Sequence, residues 1–63
     1  EEMKATFKII MKHDIRMIIT ADGCDSILSE EIKYYHFYIR NKGTKEYIAL
    51  IPKEDIKSLT LEL

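Results

Sequence analysis

Cys24 and the two histidines are the side chains best suited to nucleophilic catalysis in this chain. A catalytic cysteine needs a base and an electropositive setting that stabilise its thiolate. Cys24 lies between Gly23 and Asp25, and an adjacent carboxylate raises the pKa of a thiol rather than lowering it. Nothing in the sequence brings His13 or His36 close to Cys24. We therefore expect a structural or incidental cysteine and a protein that is not an enzyme.

A group of acidic side chains lies within residues 22–32 and offers oxygen ligands to a hard cation. Its members are Asp22, Asp25, Glu30 and Glu31. Their spacing does not match calcium-binding loops, which need acidic or amide ligands at alternate positions and a glycine at the sixth. The single cysteine also excludes an internal disulfide and a cysteine-based zinc site. We therefore predict a solvated acidic loop without a metal or a cofactor.

Alternating aromatic residues between positions 33 and 40 give the strongest candidate for a binding surface. With its cross-strand neighbours, this candidate surface consists of Tyr34, His36, Tyr38, Ile48 and Leu50. The opposite face of the same hairpin is apolar as well, and it carries Tyr35, Phe37, Ile39, Tyr47, Ala49 and Ile51. A hairpin with two apolar faces is covered on both sides. In so short a chain the second cover is most economically another molecule, so we predict a protein interface, with a second copy or a host protein as partner.

The same surface also permits single-stranded nucleic-acid binding, because bases stack on tyrosines while nearby cations follow the phosphates. Those cations are Arg40, Lys42 and Lys45. However, ten basic and eleven acidic residues give a net charge of −1, which provides no general attraction for phosphate. Nucleotide or nucleic-acid binding is therefore the alternative hypothesis, through Tyr34, His36, Tyr38 and Arg40. A third reading is an ordinary half-exposed strand.

Strands must position these side chains, because the dominant pattern in the chain is alternation of apolar and polar residues. It predicts strands at residues 5–11 and 15–21. A three-residue loop between them pairs Phe7 with Ile19 and keeps apolar residues opposite each other, whereas a two-residue loop slips the register by one. We expect Asp14 to take a left-handed conformation in this loop.

Residues 22–32 interrupt the alternation and predict a loop with a single helical turn, whose Ile27 and Leu28 plug one end of the core. Strands at 33–40 and 45–51 follow, joined by a three-residue loop in which Gly43 has positive φ. In this register Phe37 pairs with Tyr47. Pro52 then ends the strand, and a short helical turn precedes a last strand with alternating leucines.

Five short antiparallel strands predict a small closed barrel, since short strands leave exposed edges unless the sheet closes. The 63 residues form one domain, too small for a dinucleotide fold or a two-domain enzyme. The longest apolar run, residues 47–51, is far short of a membrane span, and one free cysteine suits the cytoplasm. The chain begins Glu1-Glu2-Met3, as expected for a native start at Met3 or for a fragment of a longer protein.

The segment Tyr47-Ile48-Ala49-Leu50-Ile51-Pro52-Lys53-Glu54-Asp55-Ile56-Lys57-Ser58-Leu59 resembles the closing half of small Src-homology-type or Sm-like barrels. In those barrels a short helical turn joins the last two strands. The chain is also similar to short proteins rich in Ile, Lys and Tyr from phages and mobile elements. The resemblance covers the second half of the chain and carries over no ligand residues. It implies a small barrel that acts as an adaptor or inhibitor of a host protein.

Overall fold

Six antiparallel strands form the protein in a computed structural model that describes residues 4–62. They are β1 (Ala5–Met11), β2 (Arg16–Ala21), β3 (Gly23–Ser29), β4 (Ile32–Asn41), β5 (Thr44–Pro52) and β6 (Ile56–Glu62). The first sheet has the order β2-β1-β6, and the second sheet has the order β3-β4-β5. Two 3₁₀ turns, Lys12–Asp14 and Lys53–Asp55, lie between strands. The second of them is where the sequence predicts a short turn before the last strand.

The predicted closed barrel of five strands is wrong. No ladder joins β2 to β3 or β5 to β6 within residues 4–62, so the sheets pack against each other without closing. The chain passes between the sheets twice, at Asp22 and through the turn Lys53–Asp55. At both crossings the backbone leaves one ladder before it joins the next, and this keeps the sheets separate.

The core lies between the inner faces of the two sheets. Its buried members are Ala5, Phe7, Ile9, Ala21, Phe37 and Ile51. Phe7 of the first sheet meets Phe37 of the second edge to face, with ring centroids 5.0 Å apart. Such an arrangement adds to the stabilisation from buried area, and Phe37 has no exposed surface. The contact between these two rings is therefore a central link between the sheets.

The hairpin of β1 and β2 has the predicted register. Phe7 pairs with Ile19, and the two strands remain in register along their length. Asp14 has φ of 60°, which confirms the left-handed conformation expected of it, and His13 has φ of 65°. The alternation of this segment is strict enough that only one register places its apolar residues on the core side.

The predicted loop at residues 22–32 is wrong, because most of it forms β3. This strand pairs with β4 from Gly23 opposite Tyr38 to Ser29 opposite Ile32. Ile27 and Leu28 remain 37% and 64% exposed, so they do not plug the core. The long edge of β4 offers backbone hydrogen bonds along all of β3, and these outweigh the weak strand propensity of its polar residues.

The hairpin of β4 and β5 keeps the predicted positive φ at Gly43 (82°) but not the predicted register. Its turn has two residues rather than three, and Asn41 pairs with Thr44. A bulge then shifts the ladder, so that Phe37 pairs with Ala49 instead of Tyr47. Consequently Tyr47 does not fill the core as predicted, and it is 46% exposed.

Candidate interaction surface

The outer face of the second sheet gathers the aromatic residues singled out from the sequence. In β4, Tyr34, His36 and Tyr38 alternate with the buried Phe37 and therefore point away from the core. Pairing places Asp25 and Leu50 on either side of His36, and Ile27 beside Tyr34. We call this surface the aromatic face. Its members are Gly23, Asp25, Ile27, Tyr34, His36, Tyr38, Tyr47, Ile48 and Leu50.

Tyr47 ties all three strands of the second sheet together. Its ring stacks on His36, with centroids 3.8 Å apart and ring planes 19° from parallel. Its hydroxyl donates a hydrogen bond of 2.7 Å to Oδ2 of Asp25. Tyr47 belongs to β5 and Asp25 to β3, so this side chain spans β4 and covers one side of the histidine. The bulge in β5 makes the arrangement possible, because it brings Tyr47 to the outer face.

Lys45 and Tyr38 form the second half of this network. The Nζ atom of Lys45 lies 3.1 Å from Oδ2 of Asp25 and 4.5 Å from the centroid of the Tyr38 ring. The guanidinium carbon of Arg40 lies 5.5 Å from the same centroid. Tyr47 meets Tyr38 edge-on at 5.9 Å. Tyr38 is therefore in contact with two cations and one aromatic edge.

Gly23 makes room for Tyr38. The two residues are cross-strand partners, and a Cβ atom on Gly23 would lie only 2.5 Å from the Tyr38 hydroxyl oxygen. An aromatic ring that lies over a glycine of the neighbouring strand protects the exposed backbone there. The backbone N–H of Asp22 also donates to the Tyr38 carbonyl at 2.9 Å. Both contacts fix β4 against the point where the chain enters the second sheet.

The shared carboxylate of Asp25 shifts the ionisation of its partners. Hydrogen bonds from Tyr47 and then Lys45 lower the pKa of Asp25, because they stabilise its charged form. The same hydrogen bond raises the pKa of Tyr47, whose proton Asp25 holds, and the pair with Asp25 raises the pKa of Lys45. All three shifts favour the state in which Asp25 and Lys45 are charged and Tyr47 is neutral.

The candidate chemistry of Cys24 and of the acidic residues does not assemble. Cys24 is half-buried, and burial, followed by the charge of Asp25, raises the pKa of its thiol. No set of three His, Cys, Asp or Glu side chains in the described part of the chain could hold a metal ion. Asp25 is engaged by Lys45 and Tyr47, while Glu30 and Glu31 occupy the β3–β4 turn. The predicted acidic loop is therefore a strand and a hairpin turn.

The predicted interface residues lie on one face, together with four residues that the sequence did not assign to it. Ile48 and Leu50 are 48% and 52% exposed, and the cations Arg40 and Lys45 lie beside Tyr38. Lys42 is in the exposed turn. The residues missed are Gly23, Asp25, Ile27 and Tyr47. Residues 23–29 show no apolar–polar alternation, so no local signal marked β3.

Comparison with known proteins gives no relative: no family model, no curated protein and no solved structure matches this chain. Among residues 4–62, no helix is long and apolar enough to cross a membrane. The function of the chain is therefore inferred from the geometry of the aromatic face.

Proposed function

We propose that the chain is a non-enzymatic protein-binding module and that the aromatic face is its contact surface. The observation that carries this proposal is an ordered network of rings and charges beside half-exposed aliphatic side chains. Tyr47 links His36 to Asp25, and Ile48 and Leu50 lie next to it on β5. Protein interfaces are rich in tyrosine and carry their binding energy on a few anchors surrounded by weaker contacts.

The network also lowers the cost of binding. A side chain that is free in solution loses rotamer entropy when a partner immobilises it, at about 0.5–1.5 kcal/mol each. Tyr47 is already held by a stack on His36 and by a hydrogen bond to Asp25. Lys45 is held by Asp25 and Tyr38. These groups are arranged before a partner arrives, and this supports a role in recognition over that of an ordinary half-exposed strand.

The alternative proposal, binding of a nucleotide or a single strand, has less support. Base stacking needs accessible ring faces. Tyr47 stacks on His36, and cations occupy positions over Tyr38. The charge of Lys45 is offset by Asp25 at 3.1 Å. These contacts leave fewer free rings and fewer free cations than the sequence pattern offered.

The proposed partner class and cellular compartment follow from further features of the chain. The similarity of the chain to short proteins rich in Ile, Lys and Tyr from phages and mobile elements supports a cytoplasmic adaptor or inhibitor that forms oligomers and acts on a host protein. The unpaired cysteine is in keeping with a reducing compartment. The exposed aliphatic side chains supply the apolar area that a protein partner would cover.

A peptide-display experiment tests the contact surface. Peptides selected from a random library on the parent protein are measured against the parent and the Ile48→Lys variant. We expect the variant to lose about tenfold or more in affinity, equivalent to ~1.4 kcal/mol, because a charge replaces an exposed apolar anchor. The matched control is Ile18→Lys, which changes an exposed isoleucine on the first sheet. Equal affinity of the parent and Ile48→Lys for every selected peptide contradicts the proposal.

An oligothymidylate separates the two functions. The protein-binding proposal expects no binding of this probe at moderate salt. The nucleic-acid proposal expects binding that weakens steeply as salt rises, and it expects Ile48→Lys to bind more tightly because the variant adds a cation. For Ile48→Lys, the protein-binding proposal thus expects weaker peptide binding, and the nucleic-acid proposal expects tighter binding of the oligonucleotide.

A further inference from the structure

Among residues 4–62, strand β2 is an edge of the first sheet and has backbone hydrogen-bonding groups without a partner. The N–H of Met11 donates to the carbonyl of Ile15 at 2.7 Å. Together with the register, this bond shows which residues of β2 have backbone groups that point toward β1. In an antiparallel pair, alternate residues bond to the neighbour and the others point away from it. Accordingly, the N–H and C=O groups of Arg16, Ile18 and Thr20 point to the free edge.

The central side chains of β2, from Met17 to Thr20, lack the features that prevent edge strands from associating. Such features include charges, prolines and bulges. Ile18 is 68% exposed, Met17 is 37% exposed, and Arg16 is the only charged residue of the strand. The other three edges each carry a protecting feature. In β3 this is Asp25 at mid-strand. In β5 it is the bulge at Ile48 together with the charges of Lys45 and Glu46, and in β6 it is the charges of Lys57 and Glu62.

We propose that β2 pairs with β2 of a second copy of this chain, antiparallel about a two-fold axis at Ile18. The free groups of Ile18 then bond to those of the partner's Ile18. Those of Arg16 bond to the partner's Thr20, and symmetry repeats this pair. The result is about six backbone hydrogen bonds and one continuous sheet of six strands across the dimer.

The side chains match in this register. On the core side, Met17 lies opposite the partner's Ile19, so apolar groups meet. On the outer side, the exposed Ile18 lies opposite its own copy, and Arg16 lies opposite the partner's Thr20, so like charges do not face each other. Pairing ends beyond Thr20, because the N–H of Asp22 already donates to the carbonyl of Tyr38. A shift of the pairing by one residue would place the free groups of one strand opposite residues of the other strand that already bond to β1.

This dimer goes beyond the proposed function because it uses a different surface. The aromatic face belongs to the second sheet and stays uncovered when β2 edges pair. Each dimer therefore presents two copies of the aromatic face. Two sites on one molecule raise the strength of attachment to a partner that itself carries two sites, without any new contact. In this arrangement the first sheet assembles the molecule and the second sheet recognises the partner.

Sedimentation equilibrium and amide hydrogen exchange test the proposal together. We expect the parent at high concentration to sediment with twice its 7.5 kDa mass, and Ile18→Lys to sediment as a monomer with the same circular dichroism spectrum. Ile48→Lys is the matched control and should keep the doubled mass. The amides of Arg16, Ile18 and Thr20 should become protected from exchange as the parent concentration rises.

A synthetic chain with an N-methyl group on Ile18 is the second variant. It removes one outward-facing donor without adding charge, and it should be monomeric and folded. This variant keeps the proposal testable if Ile18→Lys fails to fold. A parent that stays monomeric at millimolar concentration overturns the proposal. A dimer that survives both changes at residue 18, or one that Ile48→Lys dissociates, overturns it as well.

Discussion

The two sheets share one core but have different outer faces. On the first sheet most outer side chains are small or charged, and they include an ion pair of Lys8 with Glu62 at 3.1 Å. On the second sheet a stacked tyrosine and histidine, a second tyrosine and a shared carboxylate form one network. The most exposed aliphatic residue in the described part of the first sheet, Ile18, lies on an edge strand.

Packing against the core does not explain this difference, because the outer face of neither sheet takes part in it. Salt bridges between exposed groups such as Lys8 and Glu62 stabilise a protein by about 0–1 kcal/mol. The ordered rings of the second sheet instead resemble the anchors of an interface. Under the two proposals made above, the first sheet contributes its backbone edge to contacts and the second sheet contributes its side-chain surface.

Phe37→Ala should have the largest effect on stability, because it removes the ring through which the second sheet packs against the first. Phe37 is fully buried and packs against Phe7 at 5.0 Å. We expect a loss of about 3–5 kcal/mol, which is comparable to the whole stability of a domain this small. Circular dichroism should show an unfolded chain, while the control Tyr34→Ala stays folded. A cooperative urea transition at the parent's midpoint would show that the two sheets do not depend on this contact.

Gly43→Val should have the next largest effect and should act on the second sheet. Gly43 has φ of 82°, and apart from its two chain neighbours no described residue has an atom within 4 Å of the position that a Cβ would take, so the cost is conformational rather than steric crowding. We expect about 1–3 kcal/mol from urea denaturation. Thr44→Val, one residue further on, serves as the control and should change stability little. An unchanged midpoint for Gly43→Val would mean that the turn tolerates another conformation.

Gly23→Ala should disturb the aromatic face with a smaller loss of stability. The added Cβ would lie 2.5 Å from the Tyr38 hydroxyl oxygen, so the end of that side chain must move. We expect about 1 kcal/mol of destabilisation and shifted ring resonances of Tyr38 in nuclear magnetic resonance spectra. Ser26→Ala on the same strand is the control. Unshifted Tyr38 resonances in Gly23→Ala would place that ring elsewhere in solution.

Asp25→Asn should have the smallest effect, visible mainly as a change in pH dependence. Hydrogen bonds from Tyr47 and Lys45 lower the pKa of Asp25, so its stabilising effect is present above the ordinary carboxyl pKa and is lost as the pH falls through the lowered value. The melting temperature of the variant should fall less with acidification. The pKa of Tyr47 should return toward its ordinary value in a spectrophotometric titration.

The control for this titration is Asp55→Asn, which lies in the turn Lys53–Asp55 away from the aromatic face. It should leave the titration of Tyr47 unchanged. If Asp25→Asn also left that titration unchanged, the hydrogen bond between Tyr47 and Asp25 would not persist in solution.

Part of the fold was predictable because strict alternation allows one register only. Phe7 and Ile19 are such a case, and their pairing is confirmed. β3 was not predictable in this way, since Asp25 and Ser26 have weak strand propensity and the strand depends on its partner β4. The tertiary context thus decides the structure of a segment whose local signals favour a loop.

The candidate surface was predictable for β4 and less so for β5. Tyr34, His36 and Tyr38 follow directly from alternation along β4. The bulge that brings Tyr47 to the outer face has no signature in the local sequence. Nothing in the residue types of β5 indicates which residue is the unpaired one. Without the bulge and β3, the sequence could not show that Asp25 meets Tyr47 and Lys45.

A crossed comparison of Ile18→Lys and Ile48→Lys tests the central claim, namely that the two sheets serve separate contacts. Both variants replace an exposed isoleucine with the same cation, one on each sheet. For each variant, molecular mass and affinity for a selected peptide are measured on one preparation. We predict that Ile18→Lys halves the mass and retains affinity, while Ile48→Lys retains the mass and loses affinity about tenfold. Loss of both properties in one variant, or exchange of the two effects, would contradict this division.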